Sequence, residues 1–334
     1  MTRKEAEEFM VAFRNGKARS LIHRMMALHY TEAVMEHHPD PATLDHGKIE
    51  ELTGQLCHFI FKEVKSIGDN PDALFPLLLR LSRGQEPRPS IWFREFDEAY
   101  EHYKHRRKLN VKFNQLKPFL REGAYADIGC GGGDLVAHLK KHYRGFTSFT
   151  GIDVMDWRSK AIKKEINFRF FDFSNPVGTL PEKFDFATCM AVLHHVGKED
   201  GSLLRFLGNI RDSLNVSGRL LVEEDVILPQ GEVNSSELYR SQVEQLKQEQ
   251  PLFGEYTMLS GQDQKAALIL IDPLANSLAV GVPEMHFPFG FRSINRWADL
   301  FKESGFEVEK VQINGFVRGT FNRSSHVVYL LQRV

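Results

Sequence analysis

The sequence predicts an α/β protein: a mostly parallel sheet covered by helices, with a helical region ahead of it and a long helical insertion near its end. Three observations predict this. The stretch Y-A-D-I-G-C-G-G-G-D, residues 125–134, is an apolar run ending on Asp127, then a turn with glycines at 129, 131 and 133, then a helix-like segment, Leu135 to His142. From there to about residue 225 strand-like and helix-like segments alternate, the β-α-β order that builds a parallel sheet. Residues 1 to about 90 carry helical periodicity and no convincing strand.

At 334 residues the chain exceeds one typical domain and can bury a large core, so a catalytic-sized domain with a sizeable appendage is expected. Lys and Arg number 43 against 44 Asp and Glu, a net charge of -1, which argues against a globally basic nucleic-acid binder. The three cysteines, Cys57, Cys130 and Cys189, are far apart and form no C-x-x-C pair, which speaks against a disulfide framework and a structural zinc site. The first residues, M-T-R-K-E-A-E-E-F-M, are charged, and no apolar run is long enough to span a membrane. The expectation is a cytoplasmic protein with no membrane association.

In the first 90 residues, Phe9, Phe13, Leu21, Ile22, Met25 and Leu28, then Ile49, Leu52, Leu56, Phe59, Ile60 and Val64, recur at helical spacing. Prolines at 39, 41, 71, 76, 87 and 89 divide the region into short helices. Residues 1–90 are therefore read as a helical cap beside the cleft. A longer helical pattern, Ile91 to Phe119, carries Phe96, Tyr100, Tyr103, Phe113 and Leu116, and its second half is basic: Lys104, Arg106, Arg107, Lys108, Lys112 and Lys117. A solvated face explains these charges, and a phosphate-binding face is the alternative.

Alternate glycines let the backbone turn with positive φ and let a ligand press against bare main chain. The helix start that follows offers N–H groups and the positive end of a dipole. A nucleotide-like cofactor is the reading. A dinucleotide fingerprint, G-x-G-x-x-G, begun at Gly129 needs glycine at 134, where the chain has Asp134, so a nicotinamide oxidoreductase is disfavoured. The next predicted strand, Phe146 to Val154, ends in G-I-D-V and places Asp153 about 20 residues past the last glycine, where a carboxylate can accept from both ribose hydroxyls.

A short strand, Phe168 to Phe173, follows and ends in F-F-D-F. Then come F-D-F-A-T-C-M-A-V-L-H-H-V at 184–196, a helical Gly201 to Leu214, and the strand S-G-R-L-L-V-E-E-D. After an insertion at 227–290, a helix from Ile294 to Ser304 capped by Ser293 leads to G-F-E-V-E-K-V-Q-I, a turn, and H-V-V-Y-L-L-Q. From Ala124 to Val334, insertion excepted, this succession resembles the class I S-adenosylmethionine-dependent methyltransferases. The resemblance implies a Rossmann-like seven-stranded, mostly parallel sheet with an antiparallel last strand, formed by residues 91–226 and 291–334, and S-adenosylmethionine as cofactor. It implies that Asp127, Gly129, Gly131 and Gly133 surround the methionine part of the cofactor, and that Asp153, with Val154 beside it, holds the ribose. It further implies that Asp172 contacts the adenine amino group, that Phe171 or Phe173 walls the ring, and that the backbone at Cys189, Met190 and Ala191 runs past the methionine portion. Met155 and Trp157 are candidates for an apolar face to adenine, and Tyr100 and Tyr103 for closing over the cofactor.

His194 and His195 fall where open α/β sheets bind ligands, and a neutral imidazole can take a proton from a hydroxyl or amine, so either is a candidate general base. His286, in the aromatic segment H-F-P-F-G-F-R, is a third candidate within the insertion, which is read as part of a substrate lid. Glu223, Glu224 and Asp225 end the fifth strand. Neighbouring strand residues point to opposite faces, so the three cannot converge on one ion, and no metal site is assigned. The function read from the sequence is methyl transfer to a small molecule, with oxygen the preferred acceptor. The alternatives are an RNA or protein methyltransferase and a cofactor-binding interaction protein without catalysis; nucleic acid is the less favoured partner, and the oligomeric state is left open.

Overall fold

The structure, a computed structural model, describes residues 1–37, 45–82, 108–175, 180–280, 285–316 and 325–334. Phe96, Tyr100, Tyr103 and the basic Lys104, Arg106 and Arg107 lie outside the described residues, as do the prolines at 39, 41, 87 and 89. The chain divides into two compact units. One comprises Met1–Lys108, Ile227–Phe289 and Gly315–Ser325, and the other Leu109–Val226, Gly290–Asn314 and His326–Val334.

The first unit is helical. Its N-terminal part holds α1 (Arg3–Arg14), α2 (Gly16–His37), α3 (His46–Ser66) and α4 (Leu74–Ser82). Helix α1 starts on a capping box: the Thr2 hydroxyl accepts from the Glu5 N–H at 3.3 Å, and the Glu5 carboxylate accepts from the Thr2 N–H at 2.5 Å. Phe9 and Phe13 then stack one turn apart, and Phe13 meets Phe61 of α3 at 5.7 Å between ring centroids. Helix α5 (Lys108–Leu116) precedes the first strand of the second unit.

The second unit is the sheet. In chain order it runs β1 (Gly123–Ile128), α6 (Asp134–His142), β2 (Phe146–Asp153), α7 (Ile162–Glu165), β3 (Asn167–Phe170), β4 (Phe184–Met190), α8 (Leu193–Val196), α9 (Asp200–Asp212) and β5 (Leu214–Ile227). The insertion returns the chain to the helical unit through α10 (Gln230–Ser235), α11 (Glu237–Glu249), α12 (Pro251–Met258) and α13 (Gly261–Ala275). Helix α13 packs on α1 and α2, so the N-terminal helices and the insertion, read from the sequence as a cap and a lid, belong to one compact unit. The reason is visible in α13 itself, which is buried from Ala266 to Ala275 and needs apolar neighbours on every side. Its Gln264 side chain, also buried, is held by the Leu228 N–H at 2.7 Å and the Leu259 carbonyl at 3.1 Å.

The sheet is completed by the two-residue β6 (Arg292–Ser293), α14 (Ile294–Glu303), β7 (Phe306–Phe316) and β8 (Ser325–Arg333). Among the described residues it has eight strands in the order β3-β2-β1-β4-β5-β8-β7, with β6 beside β5. The pairs β1–β2, β1–β4, β2–β3 and β4–β5 are parallel, and β8 is antiparallel to β5. This is the expected mostly parallel sheet, with one short extra strand where Arg292 and Ser293 pair with β5 just ahead of the Ser293 cap of α14. On one face Tyr125, Phe146, Phe186, Leu221, Val328 and Leu330 pack under Leu116 of α5, Phe119, Leu120, and Val136 and Leu139 of α6. On α14, Phe301 meets Tyr329 of β8 at 5.0 Å, and the Tyr329 hydroxyl donates to the Ile294 carbonyl. No helix among the described residues is long and apolar enough to cross a membrane.

Phe186 is fully buried with Phe146 at 5.9 Å and Tyr125 at 6.5 Å, so Phe186→Ala is expected to destabilise the protein by about 3–5 kcal/mol in denaturant unfolding. Val216→Ala, on a residue 84% exposed, is the control and should stay within about 0.5 kcal/mol of the parent. Equal unfolding of the two variants would contradict this core.

Candidate functional site

At the carboxyl edge of the sheet, polar side chains replace the apolar ones of the same face. The register sets Tyr125 opposite Phe186, Asp127 opposite Thr188, Met190 opposite Glu223, and Asp225 opposite His326. Because strand residues alternate faces, Asp127, Thr188, Glu223 and Asp225 share the face of the core below them. The row is buried: Asp127 and His326 are nearly so, and Thr188, Glu223 and Asp225 completely.

Asp127 accepts from the Thr188 hydroxyl at 2.6 Å, and Thr188 in turn accepts from the Tyr125 hydroxyl at 2.6 Å. Burial pushes the Asp127 carboxyl up to about 7; the Thr188 hydroxyl offsets part of this, Asp153 adds to it, and Lys112 opposes it. Lys112 of α5, read from the sequence as part of a solvated basic face, has its side chain only 14% exposed and pairs with Glu223. Burial would raise the Glu223 carboxyl, but Lys112 and His326 outweigh it and hold the group below the usual range. His326 lies 3.3 Å from Glu223 and 3.5 Å from Asp225; burial opposes its charge, and the two carboxylates overcome that and raise it.

Glu224 points to the other face. One of its oxygens accepts from the Val192 and Leu193 N–H groups at 2.9 and 2.6 Å, and the other from His194 Nδ1 at 2.7 Å. His194 and His195 sit in the single turn α8, four and five residues beyond the end of β4 rather than on the strand. His194 is buried with Phe291 stacked on it at 4.9 Å, and His195 is partly exposed with its ring 4.1 Å from that of His194. Donation from Nδ1 to Glu224 fixes the tautomer, so the lone pair of the neutral ring is on Nε2. The chain between β4 and α8 is strained, because Ala191 has φ of 56°, a left-handed conformation that costs a non-glycine residue about 1–3 kcal/mol. Its N–H is paired with the Glu223 carbonyl at 2.8 Å.

The glycine turn divides by role. A Cβ on Gly129 would stand 2.4 Å from Val192, and one on Gly133 2.6 Å from Ile166, so both are required for close packing. Gly131 has φ of 52° and faces open space, with nothing within 4 Å of where a Cβ would lie. Its N–H donates to Asp153 at 2.8 Å, and the Met155 N–H donates to the other Asp153 oxygen at 3.1 Å. Burial raises the Asp153 carboxyl, partly offset by these backbone donors. Each oxygen keeps a further lone pair for a hydroxyl. Next to it Val154, Met155 and Trp157 are exposed apolar side chains.

The remaining candidates separate. Asp172 is exposed, past the end of β3, and its carboxylate accepts from the Ser174 N–H at 2.8 Å. Phe173, expected at the cofactor, is instead packed in the core against Phe206 at 5.7 Å; the chain has left the strand by then, and Phe171 is the ring left partly exposed. Met190, the last residue of β4, is partly exposed. His286 belongs to the helical unit, with an exposed side chain 3.7 Å from Glu5. Lys112, Thr188, Glu224 and His326 were not singled out as site residues, and only the E-E-D run, at the end of a strand, signalled their presence.

A family model described as a methyltransferase domain matches residues 100–311, and the chain belongs to that family. It is an S-adenosylmethionine-dependent methyltransferase. Solved structures that resemble it include a possible histamine N-methyltransferase from Thermotoga maritima, 19% identical, covering 72% of this chain and 96% of that one with a TM-score of 0.41. The N-methyltransferase NodS from Bradyrhizobium japonicum is 12% identical over 71% of this chain and 98% of that one, TM-score 0.38. A possible exported protein from Bordetella parapertussis is 13% identical over 94% and 96%, TM-score 0.42. No curated protein matches the sequence. The residues present fit the cofactor: bare backbone at Gly131 opens to space, and Asp153 is held by backbone donors beside it.

Two outcomes follow for this rim. Asp153→Ala should weaken S-adenosylhomocysteine binding at least tenfold in calorimetry while the protein stays folded, since the lost carboxylate lies outside the core. Asp127→Asn should raise the melting temperature of the ligand-free protein. The folded carboxyl titrates far above its unfolded value of 3.8, so ionisation opposes folding fully above pH 7 and progressively less below it. The gain should be largest at pH 8 and fade toward pH 4; a loss of stability at pH 8 would contradict the burial argument.

Proposed function

We propose that the chain transfers the methyl group of S-adenosylmethionine to an oxygen of a small molecule, with His194 as general base. The observation that carries this reading is the buried pair of His194 and Glu224, in which one imidazole nitrogen is committed to a carboxylate that also holds the surrounding backbone. A hydroxyl needs its proton removed as it attacks, and an imidazole oriented in one tautomer is suited to that. An amine that arrives as its ammonium form must lose a proton as well, so oxygen is preferred here as the acceptor that cannot attack effectively while it keeps its proton. The matched family is described only as a methyltransferase domain and favours neither acceptor atom, so the pair carries the argument alone.

When bound, S-adenosylmethionine supplies an activated methyl on a cationic sulfur. The chain's own part is to hold and align the reactants and to exclude water. Gly129, Gly131 and Gly133, with Asp127 and Asp153, would hold the cofactor, with Val154, Met190 and Asp172 as further candidate contacts. Glu224 acts through His194 as a positioning residue, and His195 and His286 are the second and third candidates for contact with the acceptor. A cytoplasmic location is part of this reading, supported by the three cysteines, none of which is in a disulfide.

The test is transfer of label from methyl-labelled S-adenosylmethionine to a panel of phenols, aliphatic alcohols, amines and total RNA. Label in phenols or alcohols is expected; label in amines or RNA alone would overturn the reading. With a hydroxyl acceptor in hand, His194→Ala should lower kcat about 10²-fold or more. Glu224→Gln should lower it and change the pH–rate profile while leaving cofactor affinity within about twofold. An unchanged profile would make Glu224 purely structural.

A further inference from the structure

We propose that Asp127 makes the cofactor site select the cationic S-adenosylmethionine over S-adenosylhomocysteine, and that Asp127 gives up a proton when the cationic form binds. The inference rests on the cofactor assignment above and extends it to the charge on the sulfur.

The first observation is geometric. Asp127 stands two residues before Gly129, at the head of the turn that would hold the cofactor, and is 4% exposed. It accepts from the Thr188 hydroxyl, a neutral donor. The cation placed to neutralise it, Lys112 of α5, is instead engaged by Glu223 of β5. Among the described residues, the other ionisable groups around Asp127 supply no cation. Asp153, at the end of β2, is a second carboxylate, while Tyr125 on β1, Cys130 in the turn and Cys189 on β4 are held neutral by burial. His326 of β8 faces Glu223 and Asp225. Asp127 therefore carries its charge poorly until a cation arrives.

The second observation is the ligand's chemistry. S-adenosylmethionine has a sulfonium charge in addition to the ammonium and carboxylate of its amino-acid part, which offset each other. S-adenosylhomocysteine has a neutral thioether in place of the sulfonium. A positive charge brought near a buried carboxyl favours its ionised form, typically by one to three units of pKa. Asp127 titrates at about 7 in the ligand-free protein, so near neutral pH the cationic ligand expels a proton and the neutral-sulfur one expels less. The sign follows: affinity for S-adenosylmethionine rises with pH up to about 7 and levels off above it, and affinity for S-adenosylhomocysteine changes less.

The test is calorimetry on the full chain at pH 5.5, 6.5 and 8, each in two buffers of different ionisation enthalpy, with S-adenosylmethionine and S-adenosylhomocysteine as ligands. At pH 6.5 the expected result is release of roughly half a proton or more with the first ligand and much less with the second. The affinity ratio should rise about tenfold from pH 5.5 to 8. Asp127→Asn should abolish both the release and the pH dependence of the ratio. Equal release with both ligands, or release that persists in the variant, would overturn the proposal. Should Asp127→Asn fail to fold, Thr188→Val removes the hydroxyl that favours the ionised carboxyl and should move the release to higher pH; an unmoved midpoint counts against the proposal. Absence of S-adenosylmethionine binding at every pH would instead overturn the cofactor assignment and the proposal with it.

Discussion

Three adjacent carboxylates, Glu223, Glu224 and Asp225, are fully buried at the end of one strand, and the site is organised by how each is accommodated. An unpaired buried charge costs several kcal/mol, so a sheet that ends in three of them must supply partners from elsewhere. The pleat divides the problem. Glu223 and Asp225 turn to the face covered by α5, where Glu223 takes Lys112 and the two share His326, while Glu224 turns to the opposite face and gathers two backbone N–H groups and His194. The partners come from a helix before the first strand, from the last strand and from the turn after the fourth. Pairing these carboxylates therefore ties together the strands and helices around the carboxyl edge of the sheet.

The same constraint explains the character of Asp127. Among the described residues the cations facing these groups are Lys112, which pairs with Glu223, and His326, which lies against Glu223 and Asp225. Asp127 is left with hydroxyl chemistry through Thr188 and Tyr125. A buried carboxyl without a cation is a poor feature for stability, and its place at the head of a turn built to hold a charged cofactor gives it a use. Stability and ligand recognition are opposed at this position, as is common where binding groups are held in place before the ligand arrives.

The glycine turn shows a second kind of division. Two of its glycines are demanded by neighbours, Val192 and Ile166, and one faces open space, so the motif serves packing at two positions and leaves the third free for the cofactor proposed to lie there. In the sequence the three look alike. Their difference depends on Val192, beyond β4, and on Ile166, ahead of β3, which reach the turn only when the sheet has formed. Phe171 and Phe173 behave the same way: both were candidates to face the cofactor, and the packing of Phe206 from α9 takes one of them into the core.

The order of strands and helices, the glycine turn, the acidic residue ending the second strand and the capped helix before the last strands were legible in the sequence, because they depend on local periodicity, turn chemistry and short spacing. The helical character of the described residues among the first 90 and in the insertion was legible for the same reason, but their membership of one unit was not, since it depends on α13 finding α1 and α2 across more than 200 residues of chain. Nor was the use of Lys112: a lysine in a basic run reads as solvated until the fold sets it against Glu223. The alternation of Glu223, Glu224 and Asp225 between faces followed from the strand alone; which groups met them on each face was decided by the tertiary structure, because pairing of buried charge is a contact between distant elements and leaves no mark in local sequence.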